Sequence, residues 1–535
     1  MAPFTAGPSH VRRFSTAVVL ALCATLIGQI TGPSDLWDQT QPRTIAYTTD
    51  MLARGGDAWI LAKDAAGLHA TKPPLYNWLS AGFVAVLGHY SEIAHKLPSI
   101  LSMLAIVMLL VRWGEVWRPG LGWLAALAWL ACYPTFKLGY LARPDMVLCL
   151  VLLLGWHCAT QLLLEGSRDG PTPGPMLGGS RRRVIAFWAC VILATWTKGL
   201  ASIVLPFYAV AASFILHRSF AGLARLRPVG GSIAAIVLGL AWYVMAYFVN
   251  GGHVERTLMY AELVGRITGT GPEGGSRGPV AILTGALTMP FYFMVRFAPW
   301  SITALLGALA LLDARGQPAD QPGRRWRHVD GGAHLLLAVV WVAIIVIAFS
   351  FSSGKRADYI APVYGPAALV AAWWMLSDRF SPVRRAPWLP PLLATIALTA
   401  CIVIDLRGPV RRSETMRRFD EIAQRLDQER DPDVTLVVLT PQLPHFAILY
   451  SDVAPCENTA TKVAALVAQG KRVRVLSADI KMVQATRWAL LSGQAVERWN
   501  ISHTAEACEL GYISPLRMIE FNPPPEGRRI DFAYR

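Results

Sequence analysis

The sequence has few charged side chains, and few acids in particular, for its length. Only 16% of its 535 residues are Asp, Glu, Lys or Arg, whereas 54% are hydrophobic. Asp and Glu together number 35. Such a composition excludes an ordinary soluble protein. Repeated apolar runs of about 15–20 residues instead predict a polytopic α-helical membrane protein, because backbone groups in lipid must be hydrogen-bonded within the protein.

Motifs for soluble catalysis and for metal binding are also missing. The eight cysteines include no C-x-x-C pair. No G-x-x-x-x-G-K-[ST], G-x-G-x-x-G, H-E-x-x-H or G-x-S-x-G element stands in a usable context, which argues against an ATP-driven pump, a soluble-nucleotide enzyme and a zinc protease. We expect no metal and no other cofactor. For Cys456 and Cys508, in the polar C-terminal part, free thiols and a disulfide both stay open.

The net charge of +15 comes mostly from arginine clusters between apolar segments. This placement is typical of membrane topology and does not indicate nucleic-acid binding. Eleven spans put every cluster on one side, which the positive-inside rule makes cytoplasmic, together with the N-terminus. The first, at about 14–30, is read as an uncleaved span. The later spans are predicted at about 97–112, 121–138, 146–164, 184–197, 199–216, 231–249, 298–312, 334–351, 360–376 and 388–405.

This topology places three segments on the outer side of a bacterial inner membrane. They are a long first loop at 33–78, a second loop at 250–297 with a Gly-rich stretch typical of a mobile lid, and the whole of 407–535. Two short apolar stretches, 75–88 and 281–297, are left over. We expect them to lie at the outer interface or to be only partly inserted.

Two domains follow from the same patterns: a membrane domain at 1–406 and a small periplasmic α/β domain at 407–535. In the smaller domain the composition changes after Asp405. Amphipathic periodicity and short apolar runs predict its elements. These are a helix at 413–430, strands at 434–440 and 473–477, and a helix at 461–469.

Carboxylates and cations at outer ends of spans are the candidate chemical groups. Asp38 follows the first span, and Asp145 lies in the motif Arg143-Pro144-Asp145. Each is either a solvated flank or a functional acid that activates a hydroxyl. Outer-side cations suit a departing phosphate, since they neutralise its charge without proton transfer. Lys72, in Lys72-Pro73-Pro74, also fits a stiff turn that starts a helix at Leu75.

Further candidate binding residues lie in the remaining outer segments. Lys198 fits either a phosphate contact or a snorkelling lysine at a span end. The Lys355-Arg356 pair departs from the positive-inside trend, which favours a functional role. The remaining candidates are Glu262, Arg266 and Tyr359.

Taken in order, these motifs resemble a known family. The series runs from an acidic motif after the first span to Lys-Pro-Pro-Leu, then Ala142–Met146, Thr197-Lys198-Gly199, Glu262–Arg266, Ala298–Ser301 and Lys355-Arg356 with Tyr359. The chain resembles the integral-membrane glycosyltransferases of family 39 and their bacterial relatives, the protein-mannosyltransferase and aminoarabinose–lipid A transferase group. The resemblance covers roughly the first 365 residues.

The resemblance implies a GT-C fold and a polyprenyl-phosphate-linked sugar donor used on the outer membrane face. Asp38 would be the acid of the first outer loop and the base, and Lys72 would lie near the donor. Arg143 and Asp145 would line the second outer loop. The implied donor phosphate and prenyl contacts are Lys198, Lys355, Arg356 and Tyr359.

Two positions depart from the family pattern. Gln39 stands where the family has Glu after the first Asp, and Thr71 stands where aminoarabinose transferases have Glu before Lys-Pro-Pro. The second change argues against aminoarabinose as the sugar, because a carboxylate there could pair with its amine. The expected activity is inverting transfer of a hexose or pentose to a lipid A, lipopolysaccharide or other envelope glycan, with protein as the next acceptor. A lipid-linked sugar flippase and a non-catalytic membrane scaffold remain the alternatives.

Overall fold

A computed structural model provides the fold. It describes residues 41–65, 67–88, 92–165, 179–264, 279–316, 332–350, 355–377, 430–439, 451–454, 459–477, 495–501 and 516–522, with short pieces at 16, 19–20, 23, 388–389, 392–397, 399, 425–426 and 428.

The chain divides into two compact units. The first, the bundle unit, comprises Met1–Gly32, Thr71–Tyr76 and Pro98–Gly408. The second, the sheet unit, comprises Pro33–Ala70, Asn77–Leu97 and Pro409–Arg535. Most of the first outer loop, Pro33–Ala70, thus belongs to the same compact unit as the C-terminal part, whereas Thr71–Tyr76 belongs to the bundle unit.

Long apolar helices dominate the bundle unit. Their bounds are α3 Glu92–Trp117, α4 Leu121–Leu130, α5 Tyr133–Tyr140, α6 Asp145–Leu164, α7 Ser180–Lys198, α8 Val204–His217, α9 Pro228–His253, α10 Pro279–Arg296, α11 Trp300–Gly316, α12 Gly332–Ser350 and α13 Tyr364–Leu376. A π-helix, Val254–Val264, follows α9. Short 3₁₀ helices at Gly199–Ile203, Ala221–Leu226 and Ala357–Val363 connect some of them.

Within the described residues, five helices are long and apolar enough to cross a membrane, and seven candidates result if two bent pairs count as one span each. The predicted total of eleven spans stays a prediction. The segment of α6 that fits a span is 83% buried, whereas that of α9 is only 17% buried. α6 is therefore a central helix of the bundle, and α9 presents most of its apolar surface outward, as a lipid-facing helix does.

One predicted span needs correction. The segment 121–138 is not one continuous helix, because α4 and α5 meet at an angle of 75°. Pro134 lies in the first turn of α5, where the lack of a backbone N–H costs nothing. The same lack prevents α4 from continuing through this position as one helix. The Thr135 hydroxyl donates to the Cys132 carbonyl at 2.9 Å and satisfies part of the break.

A second sharp bend separates α10 from α11. The two helices enclose 112°, with a cis Ala298-Pro299 peptide bond between them. The stretch 281–297, predicted to be only partly inserted, is thus a separate helix from the one that follows. Its position in the membrane remains a prediction.

The α3–α4 turn depends on glycine. A Cβ on Gly114 would lie 2.3 Å from the Gly122 Cα, and one on Gly122 would lie 2.1 Å from the Val111 carbonyl oxygen. The two backbones touch, as is common where small residues join membrane helices. Any larger side chain at either position would force these helices apart.

The first outer loop is ordered by local contacts. Helix α1 is Gln41–Arg54. Helix α2, Leu75–Leu87, begins directly after Lys72-Pro73-Pro74, as predicted. The fully buried Asp50 accepts hydrogen bonds from Arg54 Nη2 at 2.8 Å and from the Lys63 amide at 2.7 Å. This carboxylate therefore ties the chain after α1 back to the helix.

The C-terminal part of the sheet unit contains a four-stranded mixed sheet. Its strands are β1 Val434–Leu439, β2 Arg472–Ser477, β3 Ala495–Ile501 and β4 Leu516–Phe521, in the order β1-β2-β4-β3. β1 and β2 are parallel, and the other pairs are antiparallel. Helix α14, Ala460–Ala468, packs its Val463 and Val467 against Val473 and Val475 of the sheet. The predicted helix 413–430 and the pair Cys456 and Cys508 lie outside the described residues.

Candidate active site

Asp145 lies at the centre of a buried ion-pair cluster in the bundle unit. It is the first residue of α6, and only 3% of its side chain is exposed. Its Oδ1 lies 2.5 Å from Lys198 Nζ, and its Oδ2 lies 2.9 Å from Arg143 Nε. The two cations come from the last turn of α7 and from the bend before α6, so the helix ends converge on this carboxylate.

Arg143 extends the cluster to a second carboxylate. Its Nη2 lies 3.1 Å from Asp358 Oδ2, and Asp358 Oδ1 lies 3.4 Å from Arg296 Nη1. Charges of opposite sign therefore alternate from Lys198 to Arg296. From Asp145 to Arg296 the side-chain exposure rises, from 3% for Asp145 to 24% for Asp358 and 38% for Arg296.

Among the residues that the structure describes, positive charge exceeds negative charge in this cluster. Lys72 also acts favourably on Asp145 by its charge, which gives four described cations and two described carboxylates. An unbalanced group of partly buried cations is costly unless an anion completes it. The cluster is therefore suited to an anionic ligand such as a phosphate.

Asp145 itself is poorly suited to proton abstraction in this arrangement. Both of its oxygens face cations, and such a carboxylate holds its partners in place more readily than it takes a proton. We interpret Asp145 as the residue that orients Lys198 and Arg143. Burial lowers the pKa of Arg143, but the charges of Asp145 and Asp358 outweigh it and raise that pKa, so Arg143 is a permanent cation.

Tyr359 and Lys355 belong to the segment that carries Asp358. The Lys198 ammonium lies 5.7 Å from the centre of the Tyr359 ring, a cation–π distance. Lys355 Nζ donates to the Ser350 carbonyl at 2.9 Å, and burial lowers the pKa of Lys355. Arg356 is exposed at the start of the 3₁₀ helix Ala357–Val363.

The structure therefore brings together Lys72, Arg143, Asp145, Lys198 and Tyr359 of the predicted set. Asp38 and Arg266 lie outside the described residues, and for Glu262 only the backbone, in the π-helix after α9, is described. Within the part of the chain that the structure describes, no group of three or more His, Cys, Asp or Glu side chains could hold a metal ion. The expected metal independence stays a prediction.

Sequence reasoning missed two members of the cluster, Asp358 and Arg296. Asp358 follows the outer-side cation pair Lys355-Arg356, and Arg296 is a cation at the end of a short apolar stretch. An acid next to unexpected cations, and a cation in an apolar run, are the signals that could have found them. The Cys132 thiol donates to the Arg296 carbonyl at 3.1 Å and fixes the end of α10.

Known proteins with similar sequences carry one recurrent name. The chain is 24% identical over 345 residues to the undecaprenyl phosphate-α-4-amino-4-deoxy-L-arabinose arabinosyl transferase of Serratia proteamaculans, covering 63% of this chain and 55% of the relative. It is 21% identical over 383 residues to a transferase of the same name from Proteus mirabilis, covering 69% and 62%. The chain thus spans less than two thirds of the length of these relatives. No family model matches it.

Solved structures extend the similarity to nearly the whole chain. The crystal structure of ArnT from Cupriavidus metallidurans bound to undecaprenyl phosphate superposes with a TM-score of 0.59 at 18% identity, covering 96% of this chain and 98% of ArnT. Its apo structure gives 0.54 at 17% identity, covering 94% and 97%. The chain is therefore a polytopic α-helical membrane protein with the fold of ArnT, which confirms the predicted GT-C-like fold class.

Proposed function

We propose that the protein transfers a sugar from a polyprenyl-phosphate donor to an envelope glycan on the outer face of a bacterial inner membrane. The acceptor is a lipid A, lipopolysaccharide or other glycan hydroxyl, with a protein hydroxyl as the next choice. In this proposal the N-terminus is cytoplasmic and residues 407–535 are periplasmic. The curated relatives are named as transferases that use undecaprenyl-phosphate aminoarabinose, which supports the same class of donor.

The observation that carries this proposal is the excess of cations around Asp145. Four described cations, Lys72, Arg143, Lys198 and Arg296, outnumber the two described carboxylates, Asp145 and Asp358. They would still outnumber three carboxylates if the proposed base Asp38 were added. A lipid phosphate would restore the charge balance, and it would gain a further negative charge when the sugar leaves. Cations already held in place by carboxylates stabilise that charge without reorganising, which is how electrostatic catalysis lowers a barrier.

The reaction that fits this arrangement is a direct displacement. Asp38 accepts the proton of the acceptor hydroxyl, and the oxygen attacks the anomeric carbon on the face opposite the phosphate. The bond from that carbon to the phosphate oxygen breaks, and its electron pair stays with the lipid phosphate. The configuration of the sugar inverts, and the cations hold the departing phosphate.

Two departures from the family pattern bear on the choice of sugar. Thr71 replaces the Glu whose carboxylate could pair with the amine of aminoarabinose, and Gln39 leaves Asp38 as the only acid of its motif. We therefore propose that the sugar differs from aminoarabinose. A neutral hexose or pentose needs no carboxylate partner.

A panel of polyprenyl-phosphate sugars tests the proposal. Purified protein is mixed with each donor and an envelope extract, and release of the free lipid phosphate is followed for wild type and Asp38→Asn. Release from one donor, lost in the variant, is the expected result and identifies the sugar. Release that persists in the variant would support the transferase activity but would show that Asp38 is not the base. No release from any donor would contradict the proposed activity.

A flippase for a lipid-linked sugar is the alternative function. The buried pair of Gln161 and His334, whose side-chain nitrogens lie 3.0 Å apart, is at the last turn of α6 and the first turn of α12. Alternating access instead uses polar groups deep within the spans, so this pair supports a flippase less than the Asp145 cluster supports a transferase. Donor translocation in vesicles without release of lipid phosphate would favour this function over the transferase.

A further inference from the structure

A cavity in the sheet unit is separate from the Asp145 cluster. It has a volume of about 390 Å³ and opens beside the first residues of β1 and the two ends of α14. Its lining includes Ala53 of α1, so the first outer loop and the C-terminal part share it. Cavities of a few hundred Å³ are the size that small-molecule ligands occupy.

The accessible lining of the cavity is mainly polar and basic. Arg430, Lys462 and Lys471 line it, and Arg430 and Lys471 are exposed. The apolar lining residues Val434, Val453 and Leu466 are buried beneath this surface. Polar groups suit the hydroxyls of a sugar, and charged donors suit an anionic substituent on it.

The two carboxylates that line the cavity already have roles in the fold. Asp452 Oδ2 accepts the Leu436 amide at 2.7 Å, which satisfies part of the free edge of β1. Asp431 Oδ1 accepts the Asp433 amide at 3.0 Å, and Asp431 Oδ2 lies 3.7 Å from Arg472. The described lining therefore has three basic and two acidic side chains, a formal charge of +1, and Asp431 is also close to Arg472 outside the lining.

From these observations we propose that the cavity binds an anionic sugar, either phosphorylated or carboxylated. The site would hold a charged glycan unit outside the Asp145 cluster, and it would do so whether or not that cluster transfers a sugar. This binding role concerns a different part of the molecule from the proposed transferase reaction.

Hydrogen–deuterium exchange on the full-length protein in detergent tests this site locally. Glucose 6-phosphate and glucuronate serve as the phosphorylated and carboxylated probes, with neutral glucose for comparison. We expect at least one charged probe to slow exchange in 430–435, 451–454 and 459–471, and the stronger probe identifies the anionic group. Lys471→Gln should weaken this effect about tenfold, because a charge-assisted hydrogen bond is lost.

Matched variants separate a binding role from a structural one. Lys63→Gln makes the same charge change in the sheet unit outside the cavity lining and should bind like wild type. Lys471→Arg keeps the charge and should recover binding. Protection that survives Lys471→Gln in a protein of unchanged melting temperature, or equal protection by glucose, would overturn the proposal. So would the absence of saturable protection with either charged probe.

Discussion

Asp145 in the bundle unit and Glu520 in the sheet unit are nearly identical in their immediate surroundings. Each carboxylate side chain is 3% exposed and lies against two cations. Glu520 receives Arg472 Nη2 at 2.7 Å and Arg474 Nε at 2.9 Å. Burial and ion pairing alone therefore cannot tell a functional carboxylate from a structural one.

The two clusters differ in charge balance. Glu520, Asp431 and Asp433 act on Arg472 and Arg474, so the described sheet cluster has no excess of cations. By the same count the described Asp145 cluster has two cations more than carboxylates once Lys72 is included. We propose that this excess of cations, which an anionic ligand would complete, marks the functional cluster.

Replacing Asp145 should have the largest effect on transfer. Asp145→Asn leaves Lys198 and Arg143 buried without their shared carboxylate, which costs about 3–5 kcal/mol of stability when a buried pair is broken. Turnover should also fall by about 100-fold or more, because the cations lose the alignment that stabilises the departing phosphate. Steady-state release of lipid phosphate and thermal unfolding measure the two effects.

The conservative variant separates these effects. Asp145→Glu keeps the negative charge and should recover part of both stability and turnover. If folded Asp145→Asn protein has the turnover of wild type, the Asp145 cluster is structural, as the Glu520 cluster is expected to be.

Sequence patterns identified most single members of the Asp145 cluster but not their convergence. Arg143 and Asp145 share one motif, whereas Lys198 lies 53 residues from Asp145, and Asp358 lies 215 residues from Arg143. Helix packing brings them together, and no local pattern encodes it. An ion pair within one helix, such as Asp50 with Arg54, is readable from its spacing of four residues.

The same limit applies to the fold. Apolar periodicity found the helices of the bundle and the strands β1 and β2. It missed β3 and β4, and in β4 Glu520 interrupts the apolar run. Glu520 is nevertheless buried, since the antiparallel register puts Arg474 directly opposite. The tertiary pairing makes an acid acceptable there, and sequence alone does not reveal the partner.

Replacing Asp358 should lower the rate of transfer without weakening donor binding. Asp358→Asn removes the link between Arg143 and Arg296, so we expect kcat to fall about tenfold through lost positioning. The variant also removes one negative charge from an already positive cluster, and the donor KM should therefore stay unchanged or fall. A higher KM with unchanged kcat would show instead that Asp358 contributes to donor binding and leaves the rate alone. Initial rates across a donor series decide between them.

Lys355 should give donor binding a pH dependence of a few-fold. Burial lowers its pKa, so Lys355 loses its proton at a lower pH than an ordinary lysine. If it contacts the donor phosphate, the donor KM rises as the pH increases through that lowered pKa. Lys355→Arg stays charged over the same range and should move the rise to higher pH. Identical KM profiles for the two proteins would remove Lys355 from the donor site.

The smallest effect on transfer is expected at Glu520, the counterpart of Asp145. Glu520→Gln leaves Arg472 and Arg474 without a full negative charge beside a buried side chain, so the stability of the sheet unit should fall by about 1–3 kcal/mol. The exposure of Arg472, 41%, limits this loss because water can solvate the freed charge. Turnover per folded molecule should stay within about twofold of wild type, because this cluster has no excess of cations for a ligand to complete. Thermal unfolding and lipid-phosphate release measured on one preparation compare the two quantities. A loss of turnover as large as that of Asp145→Asn would contradict this expectation. It would mean that an excess of cations does not distinguish the two clusters.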